Sequence, residues 1–288
     1  PPASGGIALL QQLRIAERLN IAAAAPGSVE AAHLFIEAAR LSAADRRAYI
    51  GDPDQVDVPV SGLLDAGYLA DRAALVRPDR AMAQVSAGDP PRRHGAARPS
   101  DPLAQPATSH LSIIDDDGNA VSMTTTINQN FGADIVTAGV VLNNAITNFA
   151  SRPEIDGKRV PNAIAPGKRP ISTMAPTIVF AADGRPMLIV GAGGGARIID
   201  SVAATIIGVL AWRQDVRTAI AAPRVGGQNG AQELERGTPM AALAPELRAM
   251  GHAPKVTIMD AGVQAVITGP DGLDGWGDPR RDGVALGD

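Results

Sequence analysis

Residues 108–128 read TSHLSIIDDDGNAVSMTTTIN. Two runs with strand-like alternation, His110–Ile114 and Ala120–Ile127, flank the cluster Asp115-Asp116-Asp117-Gly118-Asn119. Asp, Gly and Asn adopt the tight-turn conformations that β-branched residues avoid, so the spacing predicts an antiparallel hairpin. Toward the N-terminus the texture changes. Residues 77–107 hold six Pro (Pro78, Pro90, Pro91, Pro99, Pro102, Pro106), five Arg and almost no large apolar side chain. Such a stretch cannot offset its ordering entropy and reads as a mobile linker. Before it, residues 5–20 carry Ile7, Leu10, Leu13 or Arg14, and Leu19 near helical spacing, and Ser28 caps a second helix to about Tyr49, stopped by Gly51-Asp52-Pro53. Ser61–Val76 reads as a third helix. Beyond the hairpin, strands are expected at 135–142, 175–181, 186–190, 255–260 and 263–268, and helices over 196–212 and 240–250. The class is mixed α/β: helices, a seam, then strands with helices.

The 288 residues can bury a large core. The absence of Cys excludes disulfides, cysteine–zinc sites, iron–sulfur clusters and a thiol nucleophile, and leaves the compartment open. A net charge of −4 argues against nucleic acid as a partner, as do only two Trp, two Tyr and four Phe to stack on bases. No run approaches the ~18–20 apolar residues of a membrane span. The longest candidate, Ile198–Trp212, is interrupted by Asp200 and Ser201. His33, His94, His110 and His252 are scattered without metal-ligand spacing, and neither a metal nor a cofactor is expected. The opening Pro1-Pro2-Ala3-Ser4, without Met or a signal-like segment, reads as a fragment or a processed product.

A linker running into a strand that starts at Thr108 carries a chemical possibility. A cut between Ala107 and Thr108 would give one residue both a hydroxyl and an α-amine, whose reference pKa of about 7.7–8.0 leaves part of it neutral as a base. An ordinary Thr-initiated strand after a loop is the alternative. A second feature, Gly191-Ala192-Gly193-Gly194-Gly195-Ala196, lies between an apolar run and a helix. It presents backbone N–H groups suited to a phosphate or an oxyanion. It also fits the G-x-G-x-x-A dinucleotide pattern, but the segment after the helix, Ala211-Trp212-Arg213-Gln214-Asp215, lacks the required second strand and acid. A structural tight turn is the remaining reading. Asp115, Asp117 and Asn119 imitate a calcium loop, yet Thr126 stands where its bidentate Glu belongs, so the turn is preferred. His110 shares a strand face with Thr108 and reads as structural; Lys168-Arg169-Pro170 and Asp278-Pro279-Arg280-Arg281 read as solvated or loop-pinning groups.

Several stretches together resemble the γ-glutamyltranspeptidase family. They are Thr108–Ser112, the turn 115–122, Thr124-Thr125-Thr126-Ile127-Asn128, Phe131-Gly132, Leu142-Asn143-Asn144, residues 168–177, the glycine stretch through Arg197, PPASGG at the start, residues 33–53 and GDPRRDG at 277–283. The resemblance is collinear over nearly the whole chain. It implies an α+β, four-layer αββα sandwich of the N-terminal-nucleophile hydrolase type, made as a self-cutting zymogen. Residues 1–107 would be the C-terminal part of the large subunit, with the Pro/Arg-rich linker 77–107, and 108–288 the small subunit, both in one composite domain. The rest of the large subunit would be a partner. Thr108 would be the nucleophile, Thr126 its orienting partner, and Gly194 and Gly195 the oxyanion donors. Ser172 and Thr173 match residues that contact a substrate α-carboxylate, and Asn128 one near its α-amino group. The family also points to a periplasmic or secreted location, with a cytoplasmic one open.

Two departures bear on the substrate, a small-molecule amide. After Leu142-Asn143-Asn144, transpeptidases carry Gln or Glu and then Asp to hold the substrate ammonium; this chain has Ala145 and Asn148. A buried ammonium without a carboxylate is costly, so a glutaryl or related dicarboxylic acyl group competes with γ-glutamyl, as in cephalosporin acylases. Residues 150–170 contain no aromatic, so an aromatic-tipped lid is expected to be missing or short. An inactive family member with a binding or structural role is the alternative from another class.

Overall fold

Helix α1 (Gly5–Arg18) buries Ile7, Gln11 and Ile15 in one row and Ala8, Gln12 and Ala16 in the next, the i, i+4 stripes of a helix lying on a core. It is seen in a computed structural model that describes residues 3–93, 107–228, 230–270 and 272–287. Helix α2 (Val29–Tyr49) begins as expected, with the Ser28 hydroxyl accepting from the Ala31 N–H at 3.1 Å. It is Ala-rich and buried on nearly every side. The third helix expected over 61–76 is two: α3 (Val60–Leu63) and α4 (Ala66–Ala74). The break comes from Asp65, whose carboxylate accepts from the Tyr68 N–H at 2.9 Å and caps a new helix.

The linker reading of 77–107 is corrected for residues 77–93. Asp45, buried in α2, accepts from the Gly88 N–H at 2.9 Å, and Arg72 donates to the Ser86 carbonyl at 2.9 Å. Glu37 likewise accepts from the Met82 N–H at 2.8 Å. Buried carboxylates thus organise a segment with little apolar content of its own, which composition cannot reveal. Residues 94–106, with His94, lie outside the described residues.

Strands β1 (Ala107–Ile114) and β2 (Ala120–Asn128) form the expected hairpin, paired from Ile114↔Ala120 to Thr108↔Thr126. Asp115 Oδ1 accepts from the N–H groups of Asp117 and Asn119, at 3.1 and 2.8 Å, so its carboxylate is spent on the turn. The single strand expected over 135–142 is a small hairpin, β3 (Val136–Thr137) and β4 (Val140–Val141), because Ala138 and Gly139 turn the chain at φ 49° and 77°. A second small hairpin, β5 (Glu154–Ile155) and β6 (Lys158–Arg159), comes after it.

Next come β7 (Thr177–Phe180), β8 (Pro186–Gly193), α5 (Arg197–Leu210), α6 (Val216–Ala221), β9 (Val225–Gly226), β10 (Glu233–Glu235), α7 (Ala244–Ala249), β11 (Lys255–Thr257), β12 (Gly262–Gly269) and β13 (Gly272–Gly277). The helix expected over 240–250 is α7 preceded by a 3₁₀ turn, Pro239–Leu243. Strand β13 escapes the sequence pattern because half of its six residues are Gly. The main sheet has the order β13-β12-β8-β7, all antiparallel, and β11-β10-β9 form a smaller sheet.

Helices α5 and α6 lie on one face of the main sheet and the β1–β2 hairpin on the other. The hairpin's even-numbered face turns inward: Ser122 Oγ donates to the Val190 carbonyl at 3.1 Å and Ser112 Oγ to the Gln264 carbonyl at 3.3 Å. Its odd-numbered face shows Leu111, Ile113, Val121 and Met123 to solvent. One hydrophobic cluster joins α1 and α2 to β8, β12 and α5, so residues on both sides of the Ala107–Thr108 bond share a core.

Candidate active site

The Thr108 hydroxyl donates to Thr126 Oγ1 at 2.9 Å, directly across the hairpin. The register then shifts: Ala107 pairs with Asn128 rather than Ile127, leaving a bulge at the Ala107–Thr108 bond. Bulges twist a strand and re-aim its side chains. Asn128 closes this one with φ 78°, a backbone conformation Asn tolerates, and its N–H donates to the same Thr126 oxygen at 2.8 Å.

On the other side stands the end of β8. Gly193 leaves no room for a side chain, since a methyl there would collide with the Thr108 carbonyl. Gly194 and Gly195 come next with φ 145° and 59°, conformations that favour glycine, and α5 starts two residues later. The carbonyl of Gly195 accepts from Thr173 Oγ1 at 2.8 Å. Among the described residues, neither the Gly194 nor the Gly195 N–H donates to an acceptor. Two unspent donors in a turn that follows Gly193, itself set against the Thr108 carbonyl, are the kind of group that can receive an oxyanion. Thr173 is buried, and Ser172 is half-buried with its carbonyl held by Ser4 through N–H and Oγ, both at 2.7 Å. Gly5, at the start of α1, has no space for a Cβ against the Thr173 and Met174 carbonyls, so α1 braces this segment.

Asn128 Nδ2 donates to Asn144 Oδ1 at 3.1 Å and to Thr147 Oγ1 at 2.9 Å, tying the bulge to the 3₁₀ turn Ala145–Asn148. Asn148 is half-buried, and its carbonyl accepts from Asn162 Nδ2 at 2.7 Å. The sequence therefore names three groups that the fold gathers directly: Thr108 with Thr126, Thr173 with the glycine turn, and Asn128 with the 145–148 turn.

His110 packs against Gly191 and hydrogen-bonds Thr124 Oγ1 at 2.8 Å and Ser112 Oγ at 3.1 Å. Burial lowers its pKa to about 4, which keeps the ring neutral at neutral pH. His33 is buried as well, bonded to His252 at 2.7 Å and to the Arg77 carbonyl at 2.7 Å.

Of the two readings of residues 278–281, solvated or loop-pinning, the first is corrected and the second holds, through buried groups. Asp278 is buried against Arg224 at 2.9 Å, and Arg280 binds Glu235 at 2.6 Å. Arg281 Nη1 donates to the Thr108 carbonyl at 3.1 Å, a contact across 173 positions that nothing in local sequence announces. Arg169 does pin a loop, through Asp52 at 2.5 Å. The dinucleotide pattern also has no matching topology, because both neighbours of β8 run antiparallel to it. Among the described residues, no three His, Asp or Glu side chains gather as metal ligands, and no helix is long and apolar enough to cross a membrane.

The whole chain, residues 1–288, matches the family profile described as Gamma-glutamyltranspeptidase. It is 38% identical to the glutathione hydrolase proenzyme of Bacillus subtilis (strain 168), over 100% of this chain and 50% of that protein. The chain thus spans about half the length of the curated relatives it matches. Among solved structures it resembles a γ-glutamyltranspeptidase from Pseudomonas nitroreducens complexed with L-DON (TM-score 0.56, 35% identity, covering 62% of this chain and 97% of that one). It also resembles a cephalosporin acylase from Bacillus halodurans (TM-score 0.75, 25% identity, covering 94% of this chain and 48% of that one). The mixed helix-and-sheet architecture is that of the N-terminal-nucleophile hydrolases. By motif, fold and a family-profile match over residues 1–288, the chain belongs to the γ-glutamyltranspeptidase family.

Proposed function

We propose that this chain is the catalytic half of a self-processing acyl hydrolase or transferase that acts on γ-glutamyl or related dicarboxylic amides through Thr108. The carrying observation is the Thr108–Thr126 hydroxyl pair at 2.9 Å, set at a bulge, with Gly193 at the start of the glycine turn against the Thr108 carbonyl. In the precursor, the Thr108 hydroxyl attacks the Ala107 carbonyl carbon and the peptide becomes an ester. Water then hydrolyses that ester, leaving an Ala107 carboxylate and a free Thr108 amine. The shared core keeps residues 1–107 of the large subunit on the small subunit 108–288 after the cut.

In turnover, the Thr108 oxygen attacks the substrate's amide carbonyl while the α-amine takes the hydroxyl proton. The N–H groups of Gly194 and Gly195 receive the oxyanion; one such donor is typically worth about 2.7–4 kcal/mol of activation free energy. The leaving amine takes the proton, and water or an amine acceptor releases the acyl group from the Thr108 ester. Ser172 and Thr173 face the α-carboxylate of the acyl group, and Asn128 its amino end.

Ala145 and Asn148 favour a second reading of the pocket, an acylase for glutaryl-type groups. The segment 143–149 carries no carboxylate for an ammonium, and one solved relative is a cephalosporin acylase. Intact mass under denaturing conditions is expected to show two pieces divided before Thr108, with Thr108→Ala uncut and inactive. A single uncut and fully active chain would refute the mechanism. Comparing γ-glutamyl- and glutaryl-anilides then separates the two pocket readings.

A further inference from the structure

Resting on the reading of Thr108 as an N-terminal nucleophile, we propose that Arg281 is its positioning residue, clamping the Thr108 carbonyl and fixing a positive charge beside the amine that the cut creates. The guanidinium bridges two backbone carbonyls, Nη1 to Thr108 at 3.1 Å and Nε to Asp260 at 2.6 Å. Two glycines clear its path. A Cβ on Gly262 would lie 2.7 Å from Arg281 Cδ and 3.0 Å from Cγ, and one on Gly193 would lie 3.2 Å from Nη1. The clamp is therefore built into the ends of β8 and β12 rather than laid over them. Its neighbour Arg280 is spent on Glu235 and Asp278.

No carboxylate among the described residues neutralises Arg281. The Asp260 side chain, whose backbone holds Nε, points to Arg197 Nη1 at 3.1 Å, and Arg197 is also held by Glu233 at 2.9 Å. Thr126 across the hairpin and Gly193–Gly195 bring no charge, His110 along β1 is neutral, and Asp282, next in the chain, is exposed. The guanidinium sits on Thr108's own carbonyl oxygen, three bonds from the nitrogen that becomes the amine. A like charge at that range disfavours the ammonium form, so more of the amine stays neutral and able to take the hydroxyl proton.

The test uses the full chain with Arg281→Gln, which keeps a donor for the carbonyl but loses the charge, and Arg281→Lys, which keeps the charge. Intact mass first gives the cut fraction, and kcat/KM of that fraction is followed against pH. Loss of the charge raises the amine's pKa, so the acid limb of Arg281→Gln is expected to move up by about 0.5–1 pH unit, while Arg281→Lys stays at the parent position. An unmoved limb in Arg281→Gln, or equal shifts in both variants, would overturn the inference. An Arg281→Gln chain that never cuts itself would also overturn it, since the residue's work would then precede the amine. If instead the parent is uncut and active, the Thr108 mechanism itself fails, a result distinct from all of these.

Discussion

The Thr126 hydroxyl accepts from both the Thr108 hydroxyl and the Asn128 N–H, at 2.9 and 2.8 Å, so one oxygen orients the proposed nucleophile and braces the bulge behind it. Thr126→Val keeps the shape and removes that oxygen. It is expected to slow self-cleavage and to lower kcat/KM of the cut fraction by about 10²-fold, the usual consequence of a misplaced reacting group. Thr126→Ser should retain most activity; equal rates in Thr126→Val and the parent would remove Thr126 from the site. This pair was legible in the sequence. A hairpin turning at Asp115–Asn119 with regular register sets 108 opposite 126, and the observed pairing keeps that register down to Thr108↔Thr126. The bulge one step further, at Ala107, was not legible, because skipping Ile127 depends on where Asn144 and Thr147 hold the Asn128 side chain.

Among elements, β8 and α1 show how differently two glycines can act. Gly193 ends β8 against the Thr108 carbonyl, where a methyl has no space, so Gly193→Ala must push β1 away from the main sheet. Overpacking of this kind costs about 1–3 kcal/mol, and more when backbone must move. The variant is expected to melt lower and to stay uncut at Thr108. Gly6, inside α1, meets nothing within 4 Å among the described residues, and Gly6→Ala should raise stability by about 0.4–1 kcal/mol by restricting the unfolded chain. Thermal or urea melts of the two variants, beside intact masses, check both signs. The helices α1 and α2 and the β1–β2 hairpin could be read from periodicity, a Ser cap and a turn cluster. Elements set by contact could not. Asp65 splits the third helix by capping, and residues 77–93 are ordered by the carboxylates of Asp45 and Glu37.

For the molecule as a whole, the C-terminal segment acts as a tie. Asp278 Oδ2 accepts from Arg224 at 2.9 Å and from the Val263 N–H at 3.2 Å, and Asp278 Oδ1 accepts from Arg280 at 3.1 Å, all with the aspartate buried. Asp278→Ala strands the buried Arg224 guanidinium, which is expected to cost about 3–5 kcal/mol in urea unfolding. A loss under 1 kcal/mol would mean that the tie contributes little. At this scale the order of amino acids alone specified the family, the mixed α+β class, the hairpin and the residue types that can carry acyl transfer, because these rest on local periodicity, turn chemistry and short collinear motifs. Three-dimensional packing was needed to bring Arg281 to Thr108, to make Gly193 and Gly262 give way to it, and to bury Asp278. Those facts depend on side chains from distant positions competing for the same few ångströms, and spacing along the chain does not encode such competition.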